Sequence, residues 1–204
     1  MSKSSKAWLH AHHRDPYVLQ ARKEGYRSRA AYKLKELISA YDLLKPGMLV
    51  ADLGAAPGSW SQVVCEKLKG QGLCVAVDLL PLEPVGDTVV VIQGDFTAVE
   101  IQQQMLNALD HRRFDLILSD MAPNLSGIKD LDHDRSMMLV EEALLFADEF
   151  LKPQGKFLVK LFSGTALAFL KKEVQSRFKV VKWLKPKASH RDSAEIYLLG
   201  VDKK

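Results

Sequence analysis

The sequence has little of several features that mark special classes of protein. Its 204 residues include two cysteines, Cys65 and Cys74, with no ligand set around them, so neither a disulfide framework nor a cysteine metal site is expected. The close histidines His10, His12 and His13 also lack further metal ligands. No run of 18 apolar residues and no signal-peptide core are present. These absences predict a cytoplasmic protein with reduced thiols, no metal and no membrane association.

The sequence also lacks internal repeats, low-complexity tracts and linkers rich in proline, glycine or serine. Its length is typical of one domain, and its apolar content of 47% is close to the globular average. We therefore expect a single domain over residues 1–204. Its one compositionally distinct part is a basic N-terminal segment, residues 1–35.

The net charge of +4 is divided unevenly along the chain. Residues 1–35 hold nine Lys and Arg against two acids, residues 179–204 hold seven against three, and residues 36–178 hold thirteen against twenty. Cations concentrated at both ends favour a polyanionic partner, most often nucleic acid, although solvated tails give the same count. The cations that we expect to contact phosphates are Lys3, Lys6, Arg14, Arg22, Lys23, Arg27, Arg29, Lys179, Lys182, Lys185, Lys187 and Arg191.

From residue 48 short apolar strands alternate with helical segments, a pattern typical of a parallel sheet with crossover helices. Apolar residues at helical spacing between Ala30 and Tyr41 predict one further helix before them. The last two strands follow each other without a helix, so the final strand is expected to be antiparallel. The predicted fold class is α/β, a doubly wound, Rossmann-like sheet of seven strands flanked by helices. The predicted strands are 48–53, 73–78, 89–93, 114–120, 156–162, 178–184 and 195–201, and the predicted crossover helices are 59–69, 97–109, 132–151 and 165–177.

The loop after the first strand, DLGAAPGSW, places Gly54 and Gly58 on either side of a tight turn. Ligands of open α/β sheets lie at the carboxyl ends of the strands, and glycines let the backbone approach them closely. The spacing is not G-x-G-x-x-G, which disfavours a dinucleotide dehydrogenase, and a glycine-rich turn alone can be merely structural. This loop is therefore a candidate cofactor site that needs further support.

Two acids on the same predicted edge supply that support. Asp78 ends the second strand, where a carboxylate can accept hydrogen bonds from both ribose hydroxyls. Asp95 follows the third strand and can accept from an adenine amino group. Loop and acids in this order predict an adenosine-containing cofactor without a phosphate motif, S-adenosylmethionine rather than NAD or ATP.

The fourth and fifth strands carry the candidate chemistry. Asp120 ends the fourth strand in DMAPN, which is similar to the loop of amino-group methyltransferases but has Asn124 where they stack an aromatic residue on the base. Lys160 stands inside the apolar strand KFLVKLF, where an unpaired ammonium is costly. If the fourth, fifth and seventh strands are neighbours, Asp120 and Glu195 can both pair with it; the alternative is a lysine that reaches solvent.

These residues belong to a longer ordered set, AYKLKEL, DLGAAPGSW, SDMAPNLSG, LVKLF and SHRDSAEIY. Over residues 6–202 the set resembles the FtsJ family of ribose 2′-O-methyltransferases, and the N-terminus is most similar to bacterial members that act on large-subunit ribosomal RNA. The resemblance implies a catalytic tetrad of Lys33, Asp120, Lys160 and Glu195. Lys33 is not evident from the residue pattern alone.

The resemblance further implies that Gly58, Trp60, Asp78, Asp95 and Asp120 bind the cofactor. It implies methyl transfer from S-adenosylmethionine to the 2′-oxygen of a ribose, a uridine of 23S ribosomal RNA in the assembled large subunit, with no obligate protein partner. Three alternatives stay open: methylation of transfer RNA, methylation of a cap ribose, and an inactive RNA-binding assembly factor. The filled tetrad disfavours the last.

Overall fold

The structure is a computed structural model that describes residues 14–124, 126–164, 167–190 and 193–204. The chain alternates between strands and helices in the order that the sequence predicts. The strands are Leu49–Leu53 (β1), Leu73–Asp78 (β2), Val89–Gln93 (β3), Phe114–Ser119 (β4), Leu151–Phe162 (β5), Phe178–Leu184 (β6) and Glu195–Lys203 (β7). The helices are Pro16–Glu24 (α1), Ala30–Tyr41 (α2), Ser59–Leu68 (α3), Val99–Ala108 (α4), Lys129–Phe150 (α5) and Leu167–Arg177 (α6).

The seven strands form one sheet in the order β3-β2-β1-β4-β5-β7-β6. Strands β1 to β5 pair in parallel, and β7 lies antiparallel between β5 and β6. The predicted doubly wound sheet with a reversed last strand is confirmed. The carboxyl ends of β1 to β6 therefore share one edge, and β7 begins at that edge.

Helices cover both faces of the sheet, because the strands are apolar on both sides. On one face α4, α5 and α6 pack through residues such as Met105, Phe146 and Leu170. On the other face α1, α2 and α3 pack through residues such as Leu34 and Val63. Alternate residues of each strand face the two layers. This second layer, on the α2 and α3 side, also holds the charged residues described below.

Helix α1 was not predicted from the sequence, although its boundaries follow ordinary rules. Asp15 is the N-cap and accepts a hydrogen bond from the Tyr17 N–H at 2.8 Å, and Pro16 takes the first helical position. Gly25 ends the helix in the left-handed conformation. The buried side chains of Val18 and Ala21 attach the helix to the core. The described part of the basic segment is thus folded against the sheet.

Two boundaries differ from the predicted ones by three residues or more. Strand β5 begins at Leu151 rather than at 156, because Leu151 pairs with Phe114 ahead of a register shift. Pro153 and Gly155 are unfavourable inside strands, so the sequence does not predict this early part of β5. Helix α5 begins at 129 rather than at 132, since Asp132 lies inside its first turn and accepts the N–H groups of the preceding loop.

We predict that Gly200→Ala destabilises the protein. The added Cβ would lie 2.7–2.9 Å from three ring atoms of Phe178, a buried side chain that stacks on Phe157. Overpacking of this kind costs about 1–3 kcal/mol. Denaturant unfolding should show the loss, and the cost should shrink in a Phe178→Leu background, where the ring is gone. An equal cost in both backgrounds would show that the ring is not the cause.

Candidate active site

Four charged side chains form two ion pairs on one face of the sheet. Lys160 Nζ lies 3.1 Å from Asp120 Oδ1 and also donates to the backbone carbonyl of Asp120. Lys33 Nζ lies 2.7 Å from Glu195 Oε1 and 2.8 Å from Glu195 Oε2. Both lysines and Glu195 are largely shielded from solvent. The structure thus brings together all four residues of the predicted tetrad.

Strand register explains why these side chains meet. Ser119 pairs with Val159, so the next residue along, Asp120, lies beside Lys160. Across the β5–β7 pair, Lys160 is opposite Tyr197. Side chains two residues apart on a strand point to the same face, which places Glu195 with Tyr197. Helix α2 supplies Lys33 from the layer above this face.

The pairing differs from the one expected from sequence, in which Lys160 had two carboxylate partners. Glu195 is opposite Phe162, two residues beyond Lys160, where it bonds to Lys33 instead. Burial raises the pKa of Glu195, but the charge and hydrogen bond of Lys33, the Ser189 hydrogen bond and the charge of Lys160 outweigh it. The net pKa of Glu195 is therefore below its ordinary value. Glu195 is held as a carboxylate.

Tyr197 connects the two ion pairs and was missed in the sequence. Its hydroxyl donates to Asp120 Oδ1 at 2.7 Å, its ring stacks on Trp60, and Lys33 Nζ lies 6.0 Å from the ring centroid. Trp60 is in turn fixed by a hydrogen bond from its Nε1 to the carbonyl oxygen of Ala30. The sequence did contain a signal for it. Side chains of a strand alternate with a period of two, which places Tyr197 on the same face of β7 as Glu195.

An open pocket of about 880 Å³ lies at the same edge of the sheet, and Asp120 forms part of its wall. We call it the acidic pocket, because four of its wall residues are the acids Asp78, Asp95, Asp120 and Glu142. The wall also holds one cation, Arg135. The remaining lining residues include Gly54, Ala56, Leu79, Leu80, Gly94, Phe96, Met121 and Leu139.

The predicted cofactor residues divide between the wall of this pocket and its support. Gly54, Asp78, Asp95 and Asp120 line it, whereas among the described residues Gly58 and Trp60 do not. Gly58 is the N-cap of α3 at φ 103°, and Trp60 packs behind the loop with 2% of its surface exposed. A Cβ on Gly58 would lie 2.6 Å from Arg27 Nη1, so close packing also favours glycine there.

The residues of the acidic pocket fit a cationic nucleoside better than a nucleotide. Asp78 accepts one N–H on each oxygen, from Ala56 and Leu80 at 2.8 Å, so each oxygen keeps acceptor capacity. The carboxylates would repel phosphates and attract a positive charge. The apolar side chains of Phe96 and Leu79 suit a flat ring. The volume is within the range of small-molecule sites.

A fully buried acid, Asp52, lies at the end of β1 beneath this site. Ser61 donates to its Oδ2 at 2.6 Å, while Oδ1 has no hydrogen-bond partner among the described groups. Burial raises the pKa of Asp52 to about 7; the Ser61 hydrogen bond opposes this rise, and the charges of Asp120 and Asp78 add to it. Asp52 therefore titrates near neutral pH.

The described ranges contain neither a membrane-spanning helix nor a group of metal ligands. No helix within them is both long and apolar enough to span a bilayer. No three His, Cys, Asp or Glu side chains within them are grouped as metal ligands. His10, His12 and His13 lie outside the described residues.

Comparison with known sequences places the chain among RNA-modifying enzymes. A family model described as FtsJ-like methyltransferase matches residues 26–203. The ribosomal RNA large subunit methyltransferase E of Acinetobacter baumannii is 47% identical over 204 residues, which cover 100% of this chain and 94% of that protein. The enzyme of the same name from a Janthinobacterium species is 47% identical over 98% of this chain and 95% of its own length.

Comparison with solved structures agrees. A crystal structure described as a ribosomal RNA methyltransferase of Plasmodium falciparum superposes with a TM-score of 0.80 at 32% identity. The match covers 87% of this chain and 98% of the other. The sheet and its helical layers are thus common to both proteins.

We predict that Asp52→Asn flattens part of the pH dependence of stability. In the unfolded chain the carboxyl ionises near pH 4, whereas in the folded protein it ionises near pH 7. Between these values the folded state holds an extra proton, so the stability contributed by Asp52 falls as pH rises, by on the order of 4 kcal/mol in total.

The variant lacks this loss, so its free energy of unfolding relative to the parent should increase from pH 5 to pH 8. Urea unfolding at several pH values measures the difference. Parallel curves for the two proteins would contradict the assignment.

Proposed function

The chain belongs to the family of FtsJ-like methyltransferases, and we propose that it methylates the 2′-hydroxyl of a ribose in large-subunit ribosomal RNA with S-adenosylmethionine as methyl donor. The acceptor that we propose is a uridine of 23S RNA within the assembled subunit. The observation that carries this proposal is the Lys160–Asp120 pair, which adjoins a pocket walled by acids.

The acidic pocket would hold the cofactor through the residues identified above. Asp78 would accept hydrogen bonds from the ribose hydroxyls and Asp95 from the adenine amino group, while the backbone at Gly54 allows close approach. A Cβ at Gly54 would collide with Met121, and the φ of 73° also favours glycine. When bound, the sulfonium supplies an electrophilic methyl group.

In this proposal Lys160 acts on the ribose hydroxyl. An ammonium has three N–H donors, and Asp120 takes two of them through Oδ1 and its backbone carbonyl. The third remains for the acceptor oxygen. Methyl transfer would form a C–O bond as the C–S bond breaks and leaves a neutral thioether, and the hydroxyl proton would pass to water. Lys160 would orient the hydroxyl and stabilise the charge that develops on its oxygen.

The other residues of the cluster position Lys160. Asp120 orients the ammonium and is itself fixed by the Tyr197 hydroxyl. Lys33 is engaged with both oxygens of Glu195, so we assign it an electrostatic role; the alternative role is contact with the substrate hydroxyl. Glu195 keeps Lys33 in place and is held by Ser189 at 2.8 Å.

The basic ends of the chain support an RNA substrate, with two changes to the predicted surface. Arg27 donates to the carbonyl oxygens of Pro57, Glu83 and Pro84, and Arg29 bonds to Asp15 and to the Ala188 carbonyl. These contacts within the protein occupy both guanidinium groups. We therefore omit Arg27 and Arg29 from the proposed RNA-binding surface. Lys3, Lys6 and Arg191 lie outside the described residues.

Lys185 and Lys187 are cations of the predicted surface at the edge of the sheet that holds the site, and Lys185 also donates to the Ser193 carbonyl oxygen at 2.8 Å. They follow β6, which runs parallel to β5 because both are antiparallel to β7. Its carboxyl end is therefore at the edge that holds Glu195. We propose that these lysines contact phosphates beside the methylated ribose, in the cytoplasm where ribosomes are assembled.

Mapping of the methylated position tests this function. Unmodified large subunits and transfer RNA are incubated with labelled S-adenosylmethionine, and labelled sites are located by alkaline hydrolysis. A 2′-O-methyl group blocks cleavage at its own linkage, whereas a base methyl group does not. We expect one protected linkage in 23S RNA and none in transfer RNA. Label in transfer RNA would favour the alternative substrate, and label without protection would refute ribose methylation.

Lys160→Ala should fold and bind the cofactor but lose methyl transfer. Removal of a donor that stabilises charge in the transition state costs about 10²–10³-fold in rate. Single-turnover assays measure the rate, and calorimetry measures cofactor affinity. The matched control is Lys171→Ala, which removes an exposed lysine of α6. A variant rate within a few-fold of the parent would remove Lys160 from the mechanism.

A further inference from the structure

A second pocket, of about 720 Å³, lies at the opposite edge of the sheet. It is formed where α2 leads into β1, where α4 leads into β4, and at the start of β5. We call it the basic pocket, because its wall holds five cations and one acid, Asp115. The cations are Lys45, Arg112, Arg113, Lys152 and Lys156.

The basic pocket is separated from the active site by the length of the strands. It lies at the amino ends of β1, β4 and β5, whereas the tetrad lies at the carboxyl ends. A strand of five residues such as β1 spans about 17 Å. A molecule in the acidic pocket therefore does not reach the basic pocket, and the two need separate explanations.

The acids near the basic pocket do not neutralise all of its positive charge. Asp115 pairs with Lys152 and accepts the Leu49 N–H at 2.8 Å. Lys156 donates to a backbone carbonyl, that of Asp42, which carries no full charge. Arg113 makes no ion pair within the part of the chain that the structure describes. The nearby acids are thus outnumbered by the cations that surround them.

The remaining two pairs are exposed and weak. Lys45 lies 2.7 Å from Asp42, and Arg112 lies 3.8 Å from Asp110. The two cations are 63% and 61% exposed, so water screens both pairs. Either cation can exchange its carboxylate for another anion at little cost.

The shape and chemistry of the pocket suit a phosphate backbone. Its cations come from four separate points of the chain and converge on one concavity that is open to solvent. Guanidinium groups such as those of Arg112 and Arg113 bind phosphate oxygens in a bidentate manner. Phosphate contacts of this kind add affinity without reading sequence.

We propose that the basic pocket is a second RNA-binding surface, which holds a phosphate backbone remote from the methylated ribose. The proposal rests on the proposed RNA substrate. Because the two edges are a strand length apart, a single short strand in the active site does not occupy both. The pocket therefore engages a folded RNA, such as that of a ribosomal subunit, through a second segment.

The test is a triple variant, Lys45→Gln/Arg112→Gln/Arg113→Gln, which leaves the Lys152–Asp115 contact intact. The control, Lys67→Gln/Lys171→Gln/Lys172→Gln, changes the net charge equally with exposed lysines of α3 and α6. Thermal unfolding and cofactor affinity confirm that both variants are folded. Binding to unmodified large subunits is measured against salt concentration, with single-turnover rates at saturating subunits alongside.

We expect the triple variant to bind about tenfold more weakly at low salt, with the slope of log K against log salt reduced by about 2. The rate at saturating subunits should stay within about twofold of the parent, and the control should keep the parental slope. Equal losses in both variants, or none in either, would overturn the basic pocket and leave the proposed function standing. Salt-independent binding by the parent would overturn both.

A second test uses the parent protein. Its lysines are acylated with and without RNA, and mass spectrometry measures the rate at each lysine. Bound 23S RNA should slow modification of Lys45 and Lys152 several-fold and leave Lys171 unchanged. Equal rates with and without RNA at Lys45 and Lys152 would contradict contact at the basic pocket.

Discussion

The cost of burying an ammonium is the constraint on which this site depends. Lys160 has 8% of its surface exposed and stands among the buried residues Leu158, Val159 and Leu161. A lone charge there would destabilise the fold, so Lys160 requires acceptors at close range. Asp120 provides them from β4, and Tyr197 holds Asp120 from β7. The arrangement is possible because β5 lies between β4 and β7, which makes the sheet order itself part of the site.

Charge is sorted between the two edges of the sheet. The carboxyl edge presents the acidic pocket, whose carboxylates favour a cationic ligand over phosphates. An RNA substrate must therefore be held mainly by cations outside that pocket, which we assign to Lys185 and Lys187 beside it and to the basic pocket at the opposite edge. In the proposed function this division would let one protein bind a positive nucleoside and a polyanion at once.

Much of the fold and part of the site follow from the sequence. Alternation of apolar strands and helices predicted all seven strands, and acids at strand ends placed Asp78, Asp95 and Asp120 on one edge. Lys33 could not be found this way, because α2 holds two lysines, Lys33 and Lys35, and only tertiary packing selects the one that meets Glu195. Trp60 was predicted from the resemblance alone, and it does not line the acidic pocket. The contact between Glu195 and Lys33 depends on a register offset of two residues, which periodicity does not specify.

The basic pocket was beyond reach of sequence for a different reason. All of its cations belong to residues 36–178, where acids outnumber cations, so a count along the chain hides them. They meet only because parallel strands bring their amino ends to one edge. Helix α1 was accessible in principle from Asp15, Pro16 and Gly25 but lay in a segment that composition marks as an extension.

The central claim is that the two ion pairs act as one catalytic unit, and a double-mutant cycle on single-turnover methyl transfer tests it most directly. Lys33→Met and Lys160→Met are measured singly and together with the same RNA. If the pairs form one unit, the double variant should be about as slow as Lys160→Met alone. Rate losses that multiply would show that Lys33 and Lys160 act independently and would contradict the account.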